Sequence, residues 1–120
     1  MPEVLLIDDN LTQLRTREAV LRAGGISVAC ARTAVEAFAF LRPAAAKVDV
    51  IVTDHVMPGV SGSVFVRQLH KHRPQVPVIV INGLAEAEEQ YGGLDVTFLS
   101  KPCPPESLIP AVRSRGLETL

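Results

Sequence analysis

The chain has 120 residues, room for one hydrophobic core and hardly for two. It is 48% hydrophobic and 21% charged with a formal net charge of −1, so no global field draws it to nucleic acid or to an anionic membrane. No apolar stretch approaches the ~20 residues of a membrane helix, and Met1-Pro2-Glu3 lacks the basic segment of a signal peptide. Cys30 and Cys103 have neither CxxC spacing nor a histidine partner motif, and read as structural thiols of a reducing, cytoplasmic compartment.

Glu3–Ile7 reads as a first strand, and Asn10 can cap a helix running to Ala23, where Gly24-Gly25 supplies the stop. Ser27–Ala31 is a second strand. Thr33 can cap a second helix, with Ala34, Ala37, Phe38 and Leu41 at i, i+3, i+4 and i+7 and Pro43 beyond its end. Asp49–Thr53 is a third strand. Ser61 or Gly62 begins a third helix with Phe65, Val66 and Leu69 on one side and Pro74 after it. Val78–Ile81 is a fourth strand, Leu84 to Tyr91 a short acidic helix ended by Gly92-Gly93, and Thr97–Leu99 a fifth strand. Pro105 to Arg115 reads as the last helix, in which Pro110 should remove one backbone bond and kink or delay it.

Strands alternating with helices imply right-handed crossovers and a parallel sheet covered on both faces. The most apolar runs, Val4–Ile7, Val50–Val52 and Val78–Ile81, should be central. Ligands of such sheets bind at the carboxyl ends of the strands. That edge collects Asp8 and Asp9 after the first strand, Asp54 after the third and Lys101 after the fifth. Three acids and a lysine suit a divalent cation and a phosphoryl group. Singly, Asp8 or Asp9 could cap the first helix, Asp54 could start a turn and Lys101 could lie on the surface.

Three motifs occur in order, each at a strand end: Leu6-Ile7-Asp8-Asp9-Asn10, Thr53-Asp54-His55-Val56-Met57-Pro58-Gly59 and Lys101-Pro102. With them the chain resembles, over nearly its whole length, the receiver domain of bacterial two-component response regulators. The resemblance implies a three-layer α/β sandwich: five parallel strands in the flavodoxin-like order 2-1-3-4-5 with five helices, residues 1–120 forming one receiver domain. It implies a phosphoacceptor at Asp54 in a histidine-to-aspartate relay, a signalling module rather than an enzyme. The donor would be a phosphohistidine on a sensor histidine kinase or histidine phosphotransfer protein, or a small acyl phosphate. The output partner is left open. The residues after Lys101 suffice for a last helix, so no output domain, no direct nucleic-acid binding and no membrane contact are expected of this chain.

Mg²⁺ prefers hard oxygen ligands and keeps several waters. Asp9 and Asp54 can ligate it directly, Asp8 directly or through water, and the backbone carbonyl of Val56 can supply another oxygen; binding should depend on Asp9 more than on Asp8. Carboxylates can carry a phosphoryl group, with Mg²⁺ and Lys101 stabilising its charge during transfer.

Two features depart from the family. Its fourth strand ends in Thr or Ser; here Asn82 stands there, an amide able to replace the hydroxyl, although Asn82-Gly83 also reads as a turn pair. Phe98 matches the family's aromatic switch and reads equally as a core phenylalanine. The segment between Asn82 and Lys101 looks about one turn short. Val56 and Leu84 are apolar where polar side chains would orient an attacking water, so slow self-dephosphorylation is expected. His55 reads as a solvent-exposed loop residue, and His70 and His72 as part of a basic, solvated helix end. Phe40 falls off its helix's apolar stripe and should be exposed.

Rival readings are a phosphorylation-independent binding module on the same fold, a flavin- or nucleotide-binding flavodoxin-like domain, and a metal phosphohydrolase. The second needs a phosphate-binding loop where acidic Asp8-Asp9-Asn10 stands, and the third needs a group to activate water.

Overall fold

The computed structural model describes residues 3–43, 47–55, 62–83, 91–101 and 103–117. Five parallel strands form one sheet in the order β2-β1-β3-β4-β5: β1 Glu3–Ile7, β2 Ser27–Ala31, β3 Val50–Asp54, β4 Val78–Asn82 and β5 Val96–Ser100. Among the described residues there are four helices, α1 Leu11–Ala23, α2 Ala34–Leu41, α3 Gly62–His72 and α4 Pro105–Leu117, against the five expected. The short acidic helix expected over 84–91 lies outside the described residues except for Tyr91, whose carbonyl accepts from Leu94 N–H in a turn.

The pleat divides the core in two. Leu5, Ile7, Ile51, Val78 and Val80 face α2 and α3, where Ala37, Leu41, Phe65, Val66 and Leu69 close over them. Val4, Leu6, Val50, Val52, Ile79 and Ile81 face α1 and α4, meeting Leu14, Leu21, Leu108 and Val112. Successive residues of a strand point to opposite faces. Both sides of β1, β3 and β4 are therefore lined with aliphatic groups, and these are the central strands.

The helix ends follow the sequence. Asn10 accepts a hydrogen bond from Gln13 N–H at 3.0 Å, and Thr33 accepts one from Glu36 N–H at 3.1 Å. After α1 the backbone turns through Gly25 at φ +80°, a conformation that costs glycine little. α4 continues through Pro110 rather than ending there. Pro110 is on the exposed side, where solvent can satisfy the carbonyl that loses its donor.

Several strand ends correct the sequence reading: β5 runs Val96–Ser100 rather than Thr97–Leu99, and β3 starts at Val50 rather than Asp49. β3 extends one residue further than expected, to Asp54, because His55 N–H donates to the Ile81 carbonyl at 2.9 Å and holds the strand against β4. β4 likewise extends to Asn82, whose carbonyl accepts from Lys101 N–H at 2.9 Å. Asp54 is thus fixed by the sheet and does not open the loop. No helix among the described residues is long and apolar enough to cross a membrane.

Candidate functional site

The carboxyl edge of β1, β3 and β5 brings two acids and two cations together. Asp8 directly follows β1 and is 1% exposed; Asp54, the last residue of β3, is 3% exposed. Asp54 continues the Val50, Val52 alternation and Asp8 that of Val4 and Leu6, so both lie on the α1 side of the sheet. Lys101, just beyond β5, places Nζ 2.8 Å from Asp54 Oδ2. Asp9 is exposed. Among the described residues no group of three His, Cys, Asp or Glu side chains forms a metal-binding cluster. The Val56 carbonyl, Leu84 and Pro102 lie outside the described residues.

The second cation was not anticipated. Arg17 of α1 places one guanidinium nitrogen 2.7 Å from Asp8 Oδ2 and 3.7 Å from Asp54 Oδ2, with its side chain only 11% exposed. The buried stripe of α1 is Leu14, Arg17, Leu21. Those positions are i, i+3 and i+7, so the periodicity that marks an inward face also marks Arg17 as an arginine at an apolar position. That was the available signal.

Burial pushes the Asp8 carboxyl above its ordinary range; the Asn10 N–H that donates to it at 2.9 Å draws it down, Asp54 pushes it up, Arg17 draws it down and Asp9 adds a further upward push. The net direction is upward, because burial outweighs the Asn10 N–H and the Arg17 guanidinium. Hard oxygens on two buried, mutually repelling carboxylates suit Mg²⁺, so the donor chemistry fits that ion.

Behind Asp54 a different set of groups meets. His55 is half-buried, not a solvent-exposed loop residue, because its Nδ1 shares a 2.7 Å hydrogen bond with the Tyr91 hydroxyl. Tyr91 in turn packs edge-on against Phe98, ring centroids 5.2 Å apart. Burial, with a smaller push from Asp54, raises the Tyr91 phenol to about 12. Gly62, at the start of α3, makes room for this pair: a Cβ there would collide with the Tyr91 hydroxyl and come within 2.7 Å of the His55 carbonyl oxygen. Phe98 itself is half-buried and packs against the α2–α3 side of the core. Asn82 is 5% exposed at the end of β4. His70 and His72 stay outside the site, His72 stacking on Phe38 with centroids 5.0 Å apart.

A parallel sheet in this order, with its site at the carboxyl edge, is the flavodoxin-like fold. Residues 4–113 match the family described as response regulator receiver domain, and the chain belongs to that family. It is a receiver domain of two-component signalling. It is 36% identical over 121 residues to the C4-dicarboxylate transport transcriptional regulatory protein DctD of Pseudomonas aeruginosa, an alignment covering 97% of this chain and 25% of that protein. It is 31% identical to the sensor kinase CckA of Brucella abortus, over 82% of this chain and 11% of that one. The chain therefore spans a quarter or less of these two relatives. Among solved structures, a response regulator receiver domain protein of Clostridium thermocellum superposes with a TM-score of 0.86 at 26% identity, covering 98% of this chain and 96% of that one. A Francisella response regulator receiver domain gives 0.84 at 27% identity over the full length of both.

Proposed function

We propose that the chain accepts a phosphoryl group on Asp54. The observation that carries this reading is the Asp54 carboxylate, fixed at a strand end and nearly excluded from solvent, with the Lys101 ammonium 2.8 Å from one oxygen. An Asp54 oxygen attacks phosphorus, the new P–O bond forming as the P–N bond to a donor imidazole breaks. The freed imidazole then takes its proton from solvent. With an acyl phosphate the leaving group is a carboxylate. Lys101 neutralises charge on the transferred group and holds the attacking oxygen in place. Asp8 and Asp54, with Asp9 at the rim, would hold Mg²⁺, which supplies further charge stabilisation when bound. A sensor histidine kinase or histidine phosphotransfer protein is the proposed donor. The output partner is proposed to read the altered surface around Phe98, and a cytoplasmic setting follows from such a donor.

A cavity of about 260 Å³, lined by Thr12, Gln13, Thr16, Arg17, Lys101 and Cys103, borders the two cations and favours approach of an anionic donor from the α1 side. The test is incubation with acetyl phosphate and Mg²⁺ followed by intact-mass measurement. The chain should gain one phosphoryl group and Asp54→Asn none. An equal gain in the variant removes Asp54 as the acceptor, and no gain in the unaltered chain favours the phosphorylation-independent binding module.

A further inference from the structure

The charge count of the pocket is unusual for a site that is to receive a divalent cation. Asp8 and Asp54 contribute two buried negative charges, with Asp9 exposed beside them, while Arg17 and Lys101 contribute two positive ones. Two carboxylates this deeply buried would repel each other strongly if left alone. The Arg17 guanidinium reaches both, bonded to Asp8 Oδ2 at 2.7 Å and ion-paired with Asp54 Oδ2 at 3.7 Å. We propose that Arg17 is the resident counter-ion of this pocket: in the metal-free chain its guanidinium bridges Asp8 and Asp54, and it competes with a divalent cation for those two carboxylates.

The inference rests on reading Asp8 and Asp54 as the cation-binding acids. Three observations carry it further than a surface ion pair would go. Arg17 stands on the inward stripe of α1 between Leu14 and Leu21, so its stem is packed and its fork is delivered to one place. It is nearly excluded from solvent, where an ion pair is weakly screened. The cavity beside Arg17, Lys101 and Cys103 gives the guanidinium somewhere to turn when a cation arrives. A divalent ion entering with Arg17 still in place would leave the pocket with excess positive charge. It enters favourably only as the guanidinium withdraws, or as an anionic phosphoryl group restores the balance. Arg17 thereby sets a threshold on metal binding and ties metal affinity to the phosphoryl state.

The experiment is a Mg²⁺ titration of the unaltered chain and of Arg17→Leu, followed by amide chemical shifts, with the Arg17 Nε–Hε resonance observed in the unaltered chain. Arg17→Leu should bind Mg²⁺ at least about tenfold more tightly, equivalent to one pair interaction removed from the competing state. In the unaltered chain the Arg17 resonance should move or broaden over the same Mg²⁺ range as the Asp8 and Asp54 amides. Affinities equal within about twofold, or an Arg17 resonance unmoved while those amides saturate, overturn the competition, as does an absence of Mg²⁺ binding in both proteins. The resonance needs no variant, so a poorly folded Arg17→Leu leaves a decisive arm. Phosphoryl acceptance is judged separately by mass. Tighter Mg²⁺ in Arg17→Leu without labelling of Asp54 keeps the counter-ion and removes the acceptor reading; labelling with unchanged affinity does the reverse.

Discussion

Removing Arg17 should destabilise the metal-free chain by far more than a surface arginine would. The Arg17–Asp8 pair is 2.7 Å long, with side chains 11% and 1% exposed. Deleting one partner of such a pair leaves a charge buried without its counter-ion, at a cost of about 3–5 kcal/mol. Leucine keeps the helix propensity of arginine and extends the Leu14–Leu21 stripe, so Arg17→Leu isolates the charge rather than the packing. Asp8→Asn keeps the Oδ1 that accepts from Asn10 N–H while removing the negative charge. The doubly substituted chain should then lie closer to the unaltered one than Arg17→Leu does, with a coupling of at least about 1 kcal/mol. Urea unfolding followed by circular dichroism, with chelator present, measures this. The midpoint of Arg17→Leu should fall by on the order of 2 M, given the usual slope for a small domain. Loss of Arg17 raises the Asp8 pKa further, so the native state holds its proton over a wider range. The penalty therefore shrinks as pH falls and grows as pH rises. An Arg17→Leu chain within about 0.5 kcal/mol of the original, or two substitutions that simply add, would refute a bridging role for Arg17 between the buried acids.

Tyr91 is the only tyrosine and there is no tryptophan, so its ionisation can be followed cleanly by ultraviolet absorbance; the midpoint should sit at about 12 and should drop in Asp54→Asn. Because the folded value is raised, the stability it contributes is complete below the ordinary value of 10.0 and is lost as pH climbs through about 12; a midpoint at the ordinary value would contradict the buried His55–Tyr91 contact. Gly62→Ala would gain stability in an open helix, by roughly 0.8–1 kcal/mol. Here the crowding against Tyr91 and His55 should reverse the sign to a loss of about 1–3 kcal/mol, and a chain more resistant to urea would show that the aromatic pair yields freely. Asn82→Thr should enlarge the chemical-shift changes that acetyl phosphate produces at Phe98, since a hydroxyl is smaller than the amide it replaces; identical shift patterns in the two proteins would show the amide to be an equal coupler.

The central strands were readable because apolar runs of β-branched residues suit burial on both faces of a parallel sheet covered by helices, whereas the strand order was implied only by the resemblance to receiver domains. The helix caps at Asn10 and Thr33 were readable for a local reason: each side chain accepts from an N–H three residues on. What depended on neighbours in space was harder. Asp54 looked like a loop residue because aspartate is a poor strand former, yet a hydrogen bond from His55 to Ile81 keeps it in β3. From the sequence Asp9 ranks above Asp8 as a cation ligand; in the fold the alternation of β1 turns Asp8 into the pocket, while Asp9 is exposed. Tyr91 meets His55 only because the chain returns from β4, a contact that no local pattern encodes. Arg17 was different. Its spacing to Leu14 and Leu21 was visible, and an inward arginine calls for an acid to meet it.

These placements bear on how a change at Asp54 can reach the surface. Asp54 has neighbours on two sides, and they differ in kind. Towards α1 stand charges: Lys101 and Arg17, whose positions answer to the electrostatic balance of the pocket. Towards α3 the next residue, His55, is tied to Tyr91, and Tyr91 to Phe98, by a hydrogen bond and a ring contact that answer to shape. A phosphoryl group would alter both at once, adding negative charge on the first side and bulk near the second. The route to Phe98 through His55 and Tyr91 does not pass through Asn82. Whatever Asn82 does, a physical connection runs from Asp54 through His55 to Phe98, in which Tyr91 carries the contact.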